Sequence, residues 1–161
     1  MFKKILLFLL VVLVVIQFIH PAKNKKEGAQ PNYIGNSFNV PEDVKTILAK
    51  ACNDCHSNNT VYPWYSKIQP VNWWLDKHIM NGKKGLNFDE YSNKSLRYQF
   101  HKMEEVIEQV KEGMMPLNSY TWIHKDAILN SAEKDTLINW AGAIVNEMKR
   151  KYPIDSLERK K

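Results

Sequence analysis

The chain has 161 residues, of which 44% are hydrophobic, and this is enough for one small globular domain. Its formal net charge of +6 is unevenly distributed, because residues 1–35 and 149–161 each carry +4 whereas residues 36–148 carry about −2. Since a nucleic-acid-binding face needs Lys and Arg clustered on the folded surface, we expect no nucleic-acid partner.

The first twenty residues combine Lys3 and Lys4 with an apolar run from Ile5 to Ile19. This pattern predicts an export signal, and the lack of a small-x-small cleavage site favours an uncleaved signal anchor over a removed signal peptide. The run is short for a membrane span, which needs about 20 apolar residues. The positive-inside rule then predicts that the rest of the chain lies in the periplasm, tethered to the bacterial inner membrane. Residues 21–40 are expected to form a flexible linker, followed by a domain over residues 41–148.

The first helix of this domain is predicted from Pro41 to Ala51, since Pro suits a helix N-terminus and two acidic residues follow it. It leads into Cys52-Asn53-Asp54-Cys55-His56. C-x-x-C-H is the spacing at which two thiols attach one haem and the histidine binds its iron. The sequence therefore predicts one haem c per chain, linked through Cys52 and Cys55, with His56 as an iron ligand.

Two other uses of the cysteines compete with this interpretation. The chain contains only two cysteines, so a four-cysteine zinc site is impossible, and a site of two cysteines and two histidines would need a distant histidine at unusual spacing. A thioredoxin-like redox pair normally follows a strand, whereas the residues before Cys52 are predicted to be helical. Covalent haem is the interpretation that the context favours.

Aromatic residues are concentrated after the motif, at Tyr62, Trp64, Tyr65, Trp73 and Trp74. They are expected either to wall the haem or to belong to an ordinary core.

A second helix is predicted from Val71 to Ile79, with Gly82 as its stop. Its apolar face includes Trp74, which is predicted to be a haem neighbour. The carbonyl of Pro63 or Pro70 is the expected acceptor for the second ring nitrogen of His56.

A third helix is predicted from about Ser95 to Glu112, and Gly113-Met114-Met115-Pro116 follows it. Because Pro116 favours an extended backbone at the residue before it, Met115 is the predicted second iron ligand. The alternatives are Met114, His78 on the apolar face of the second helix, a vacant position, or two methionines that only fill the core.

The last helix is predicted from Asn130, which forms a capping box with Glu133, to Met148. Residues 149–161 are expected to be a basic tail. No strand is predicted. The long loops at 57–70 and 114–129 are expected to pack on the haem, so that the protein without haem is loose or unfolded.

The runs that carry a family resemblance surround the motif and the aromatic residues: Cys52-Asn53-Asp54-Cys55-His56-Ser57, Tyr62-Pro63-Trp64-Tyr65-Ser66, Pro70-Val71-Asn72-Trp73-Trp74, His78-Ile79, Leu86-Asn87-Phe88 and Met115-Pro116-Leu117. Over roughly residues 40 to 145 the chain resembles the small bacterial haem-binding domain, which has c-type cytochrome character. More distantly, its order of segments is similar to that of class I cytochromes c. This implies an all-α fold of about four helices around one covalent haem and His/Met ligation, although the insert at 71–92 is longer than a minimal cytochrome needs.

The expected function is one-electron transfer by a membrane-tethered monohaem carrier that exchanges electrons with redox partner proteins and converts no substrate. The alternative is a haem-based sensor or peroxidase-like protein with an open or His-ligated distal site. A disulfide-handling module without haem is the third hypothesis.

Overall fold

The computed structural model describes residues 1–158, and within them the protein is all-α, as predicted, with no named strand. The helices are α1 (Phe2–Ile16), α2 (Glu42–Ala51), α3 (Asn53–His56), α4 (Val71–Gly85), α5 (Leu96–Lys111), α6 (Asn118–Thr121), α7 (Ser131–Lys151) and α8 (Ile154–Leu157). Short 3-10 turns occupy Ile34–Asn36, Trp64–Lys67 and Lys125–Ala127.

The main core lies between α5 and α7, which pack against each other along their apolar faces. Phe100 and Met103 of α5 and Met148 of α7 are completely buried there, and Leu137 of α7 is almost so. Helix α2 packs on α7, while α4 packs on α3 and forms a smaller cluster with the Trp64–Lys67 turn. Helix α3, which carries the haem motif, thereby lies between the two apolar clusters, since Cys52 packs against the main core and Cys55 against the smaller cluster.

The four helices predicted for the body correspond to α2, α4, α5 and α7. The capping box at Asn130 and Glu133 is present, and Gly113 follows the end of α5 with a φ of 71°, a conformation that favours glycine. The predicted stop at Gly82 is wrong, because α4 continues through it to Gly85.

The prediction of a flexible linker over residues 21–40 needs correction. Ile34, Phe38 and Val40 are buried in the main core, and the backbone N–H of Ile34 donates to the carbonyl of Phe88 at 2.8 Å. Asn24 hydrogen-bonds the loop after the haem motif. This segment is part of the folded body.

The prediction of a basic tail over 149–161 also needs correction where the structure describes it. Helix α7 extends to Lys151, and α8 follows it and packs on α5 with Leu157 completely buried. Residues 159–161 lie outside the described residues. Lys149, Arg150 and Lys151 are therefore part of a helix that contributes to the core.

Helix α1 stands apart from the core, since none of its residues is buried. Among residues 1–158, no helix combines the length and the apolar character that crossing a membrane requires.

Candidate functional site

The motif residues are presented by a sharp change of direction between α2 and α3. Cys52 ends α2, where its N–H donates to the carbonyl of Leu48. Cys52 also precedes α3, which is a single turn. In this turn the N–H of His56 donates to the carbonyl of Cys52 at 2.9 Å. The short helix brings Cys52, Cys55 and His56 to the same cavity. The apolar face of α2 fixes the start of this turn, because Leu48 and Ala51 are buried in the main core.

The imidazole of His56 is oriented by the backbone after α4. Its Nδ1 lies 2.9 Å from the carbonyl oxygen of Leu86, and the N–H of Phe88 donates to the carbonyl of His56 at 2.8 Å. Because a carbonyl oxygen only accepts, Nδ1 carries the proton and Nε2 of the neutral ring has a free lone pair. Burial lowers the pKa of His56, which favours this neutral form. The imidazole is therefore in the state that binds a metal.

The predicted acceptor for His56, the carbonyl of Pro63 or Pro70, is wrong. Leu86 takes that role because α4 is longer than predicted and places the residue after it beside the motif. The run Leu86-Asn87-Phe88, noted in the sequence only as part of a resemblance, provides both backbone contacts with His56.

The two thiols are held in their neutral form. Burial, reinforced by the neighbouring Cys55, raises the pKa of Cys52 to about 12. Burial and the nearby Asp54 raise the pKa of Cys55 to about 11. Reactive redox cysteines have lowered pKa values, because the thiolate is the nucleophile. This environment is unlike that of a disulfide-exchange site, and it suits an uncharged sulfur such as a thioether.

A cavity of about 500 Å³ lies next to the motif, and its walls are mainly apolar. Five side chains singled out in the sequence line it together, namely Cys52, Cys55, His56, His78 and Met115. Apolar side chains from α2, α5 and α7 complete the walls, among them Leu48, Val106, Val110 and Leu137. An apolar cavity with a neutral imidazole and two sulfur atoms in its wall fits a haem.

Met115 and Met114 differ in their surroundings. Met115 lines the cavity, whereas Met114 does not and is 58% exposed. The N–H groups of both residues donate to the carbonyl of Gln109 in the last turns of α5, which holds the segment after Gly113 close to that helix. Of the two methionines, only Met115 is positioned to contact a ligand in the cavity.

Trp74, predicted to be a haem neighbour, does not line the cavity. Its side chain is 44% exposed, and its ring lies against His78 with 4.2 Å between the ring centroids. Helical periodicity assigned Trp74 to the buried face of α4, whereas the face that is buried centres on Leu75 and Ile79. His78 lines the cavity instead, and its Nδ1 contacts the carbonyl of Trp74 at 2.8 Å.

Sequence reasoning missed a polar network beside the motif. The hydroxyl of Tyr120 donates to Asp54 at 2.8 Å, and the ring of Tyr120 stacks on His124. His124 in turn hydrogen-bonds the hydroxyl of Tyr65 at 2.8 Å. Asp54 and Tyr120 both line the cavity. No short-range signal joins these residues, because they come from three segments that meet only in the folded chain.

Among residues 1–158, no group of three or more His, Cys, Asp and Glu side chains is arranged to hold a metal ion by protein ligands alone. A zinc site built on Cys52 and Cys55 with two histidines therefore finds no support in the described part of the chain. The sulfur atoms and the imidazole of the motif line a cavity and do not converge on a single ion site.

The comparisons with known proteins agree with this chemistry. A family model described as a haem-binding domain matches residues 11–143, a range that contains the motif, α4, α5 and Met115. Comparisons with curated proteins and with solved structures give no match. The family model covers most of the sequence, and the cavity has the two thiols and the imidazole that can bind a haem. The chain therefore belongs to the haem-binding domain family.

Proposed function

We propose that this haem-binding protein carries a covalently attached c-type haem and works as a one-electron carrier. The observation that carries the proposal is the apolar cavity that both cysteines, His56 and Met115 line together. When bound there, the haem supplies an iron centre that alternates between two oxidation states. The residues of the chain hold the group, exclude water from it and set the environment of the iron.

Covalent attachment through Cys52 and Cys55 is supported by their spacing and their surroundings. The two residues are three apart across the single turn of α3, and the cavity wall around them is apolar. Burial raises the pKa of both thiols because a charged sulfur is costly to bury. A thioether has no ionisable proton and therefore avoids this cost.

His/Met ligation is supported by the positions of His56 and Met115. The hydrogen bond from Nδ1 to Leu86 leaves Nε2 of His56 as the ligating atom. Met115 offers a neutral, polarisable sulfur to the same cavity. Relative to a second histidine, a methionine ligand raises the reduction potential of the iron.

The proposed location is the periplasmic side of the bacterial inner membrane, with α1 as the means of attachment and redox proteins as partners. Lys3 and Lys4 precede the apolar residues of α1, and this order of charge supports the outer side for the body under the positive-inside rule.

A second candidate function is a haem-based sensor or peroxidase-like protein, and the position of His78 is the observation that favours it. His78 lines the same cavity, and its Nδ1 contacts the carbonyl of Trp74, so that in the neutral ring Nε2 carries the free lone pair. In that case Met115 would be a packing residue, and the distal position would be His-ligated or open to small ligands.

The covalent haem is tested by producing the full chain with a haem-maturation system and measuring its pyridine haemochrome spectrum after denaturation and extraction. Haem that stays with the denatured protein, at one per chain, is the expected result. The double variant Cys52→Ser/Cys55→Ser should lose all covalent haem. Matured wild-type protein that is colourless, or that releases its haem into the extracting solvent, would overturn the proposal of c-type attachment.

The carrier function is tested with the same purified protein. We expect a reversible one-electron couple and little binding of CO or cyanide, because His56 and Met115 would both bind the iron. Rapid binding of these ligands would instead support the sensor or peroxidase-like alternative.

A further inference from the structure

Helix α1 has an unusual surface for a helix outside the core. Its sequence from Ile5 to Ile16 is entirely apolar, and none of its residues is buried. A helix that is apolar on all sides needs an apolar environment around its whole circumference. Association with a second copy of the chain would cover only one side of it, and a helix lying along a membrane surface would need a polar face. The lipid bilayer is the partner that fits this surface.

The base of α1 is fixed to the body by hydrogen bonds at Gln69, which is 2% exposed. The N–H of Gln69 donates to the side-chain oxygen of Gln17 at 2.9 Å, and the side-chain amide of Gln17 donates to the carbonyl of Gln69 at 3.2 Å. The carbonyl of Ile19 accepts from the side chain of Gln69 at 2.7 Å and from the indole N–H of Trp73 at 3.0 Å. These bonds give α1 a defined position relative to α4.

The exposed apolar surface of α1 continues onto the body at this point. We define the junction surface as the exposed apolar side chains that flank these hydrogen bonds: Phe18, Ile19, Ile68, Val71 and Trp73. Each is at least 36% exposed. Lys67, next to Ile68, is also exposed. Tryptophan and lysine beside an apolar segment are typical of the headgroup region of a membrane.

We propose that the junction surface rests on the lipid bilayer that receives α1, with Trp73 at the level of the headgroups. This rests on the proposed membrane attachment and adds a fixed orientation of the body to it. Because α3 packs on α4, the haem motif is then held near the membrane surface rather than at the end of a free tether. The protein would meet redox partners that are themselves bound to, or diffusing along, the same membrane.

The orientation is tested by photo-crosslinking of the full, haem-loaded chain in vesicles of phosphatidylethanolamine and phosphatidylglycerol. The photoreactive residue p-benzoylphenylalanine replaces Ile68 in one variant and Val71 in a second. The matched control replaces Ile154, which is 52% exposed against 44% for Ile68 and lies in α8, a helix that packs on α5. A further variant carries the photoreactive residue at Leu9 of α1 and reports on membrane attachment alone.

Lipid adducts at residues 68 and 71, severalfold more abundant than at residue 154, are the expected result. Adducts at residue 9 without adducts at 68 and 71 would overturn the orientation while leaving the attachment in place. Cross-links from residues 68 and 71 to a second copy of the chain would also overturn the orientation. Lack of adducts at residue 9 as well would overturn both the orientation and the attachment. The haemochrome spectrum of the same samples keeps this outcome separate from that of the proposed haem chemistry.

Discussion

Gly82 brings α4 into direct contact with the haem motif at Cys55. A Cβ atom at position 82 would lie 2.6 Å from the carbonyl oxygen of Cys55 and 2.9 Å from its Cβ, which is too close for either backbone to tolerate without moving. Position 85, at the end of the same helix, is different, because a Cβ there would meet nothing within 4 Å. The absence of a side chain at Gly82 is what allows α3 and α4 to pack.

Replacing Gly82 with alanine is expected to destabilise the protein by about 1–3 kcal/mol, since overpacking forces the backbone to shift. The shift would displace Cys55, so the yield of covalent haem should fall as well. Both effects are measured on matured protein, by thermal unfolding and by the haemochrome spectrum. Gly85→Ala is the matched control and should be neutral or slightly stabilising, by up to about 1 kcal/mol. Equal stability and haem content in the two variants would show that the contact at Gly82 is unimportant.

The second iron ligand is tested by comparing Met115→Ala with Met114→Ala. Loss of the sulfur that lines the cavity should convert the ferric spectrum from six-coordinate low-spin to high-spin, remove the methionine-to-iron band and lower the reduction potential. Met114 is exposed outside the cavity, so its variant should keep the wild-type spectrum.

A low-spin spectrum that survives in Met115→Ala would point to His78. In that case His78→Ala should produce the spectral change, and the His-ligated alternative would replace His/Met ligation. If neither variant changes the spectrum of the iron, both assignments of the second ligand are wrong.

The sequence was sufficient for the helical class and for the motif because both depend on local patterns. Apolar residues at helical spacing gave the bounds of α2 and α5 to within about one residue, and the capping box gave the start of α7. The sequence was insufficient where packing between distant segments decides the outcome. Gly82 acts through its contact with α3, and the acceptor for His56 is a backbone carbonyl, which carries no residue-type signal.

The same reason explains the errors at the two ends of the body. The composition of residues 21–40 is typical of a linker, yet Ile34 and Phe38 are buried in the core. The side chain of Asn24 also hydrogen-bonds the loop that follows the haem motif. Few apolar residues, correctly placed, were enough to fix the segment. At the other end, Leu157 is one of few apolar residues in a charged segment, and its burial anchors α8 in the core.

Acid sensitivity is expected to depend on Glu90. Hydrogen bonds from Lys26, Asn32 and Asn58 lower the pKa of Glu90 from 4.5 to about 2. Through these bonds the carboxylate of Glu90 joins the N-terminal segment to the loop that follows the haem motif. A carboxyl whose pKa is lower in the folded state stabilises the fold above pH 4.5, and this stabilisation is lost as the pH falls from 4.5 toward 2.

Glu90→Gln should therefore cost on the order of 1 kcal/mol at neutral pH and unfold with a weaker pH dependence between 4.5 and 2. Thermal unfolding at a series of pH values measures both effects. Glu108→Gln, on the exposed side of α5, is the control and should keep the stability and the pH dependence of the wild type. An unchanged slope in Glu90→Gln would show that another carboxyl governs acid unfolding.

The N-terminal segment is expected to stabilise the haem motif through Asn24. Its side-chain amide donates to the carbonyl of Ser57 at 3.0 Å and to the hydroxyl of Thr60 at 2.9 Å, and its side-chain oxygen accepts from Lys83. Asn24→Ala removes these bonds and should destabilise the protein by about 1–3 kcal/mol, with faster proteolysis of the segment as a second readout. Glu27→Ala changes an exposed residue of the same segment and should have little effect on either measurement. If Asn24→Ala and Glu27→Ala are equally stable and equally resistant to protease, the side chain of Asn24 does not hold the loop after the haem motif, and the segment is fixed to the body by the burial of Ile34 and Phe38 instead.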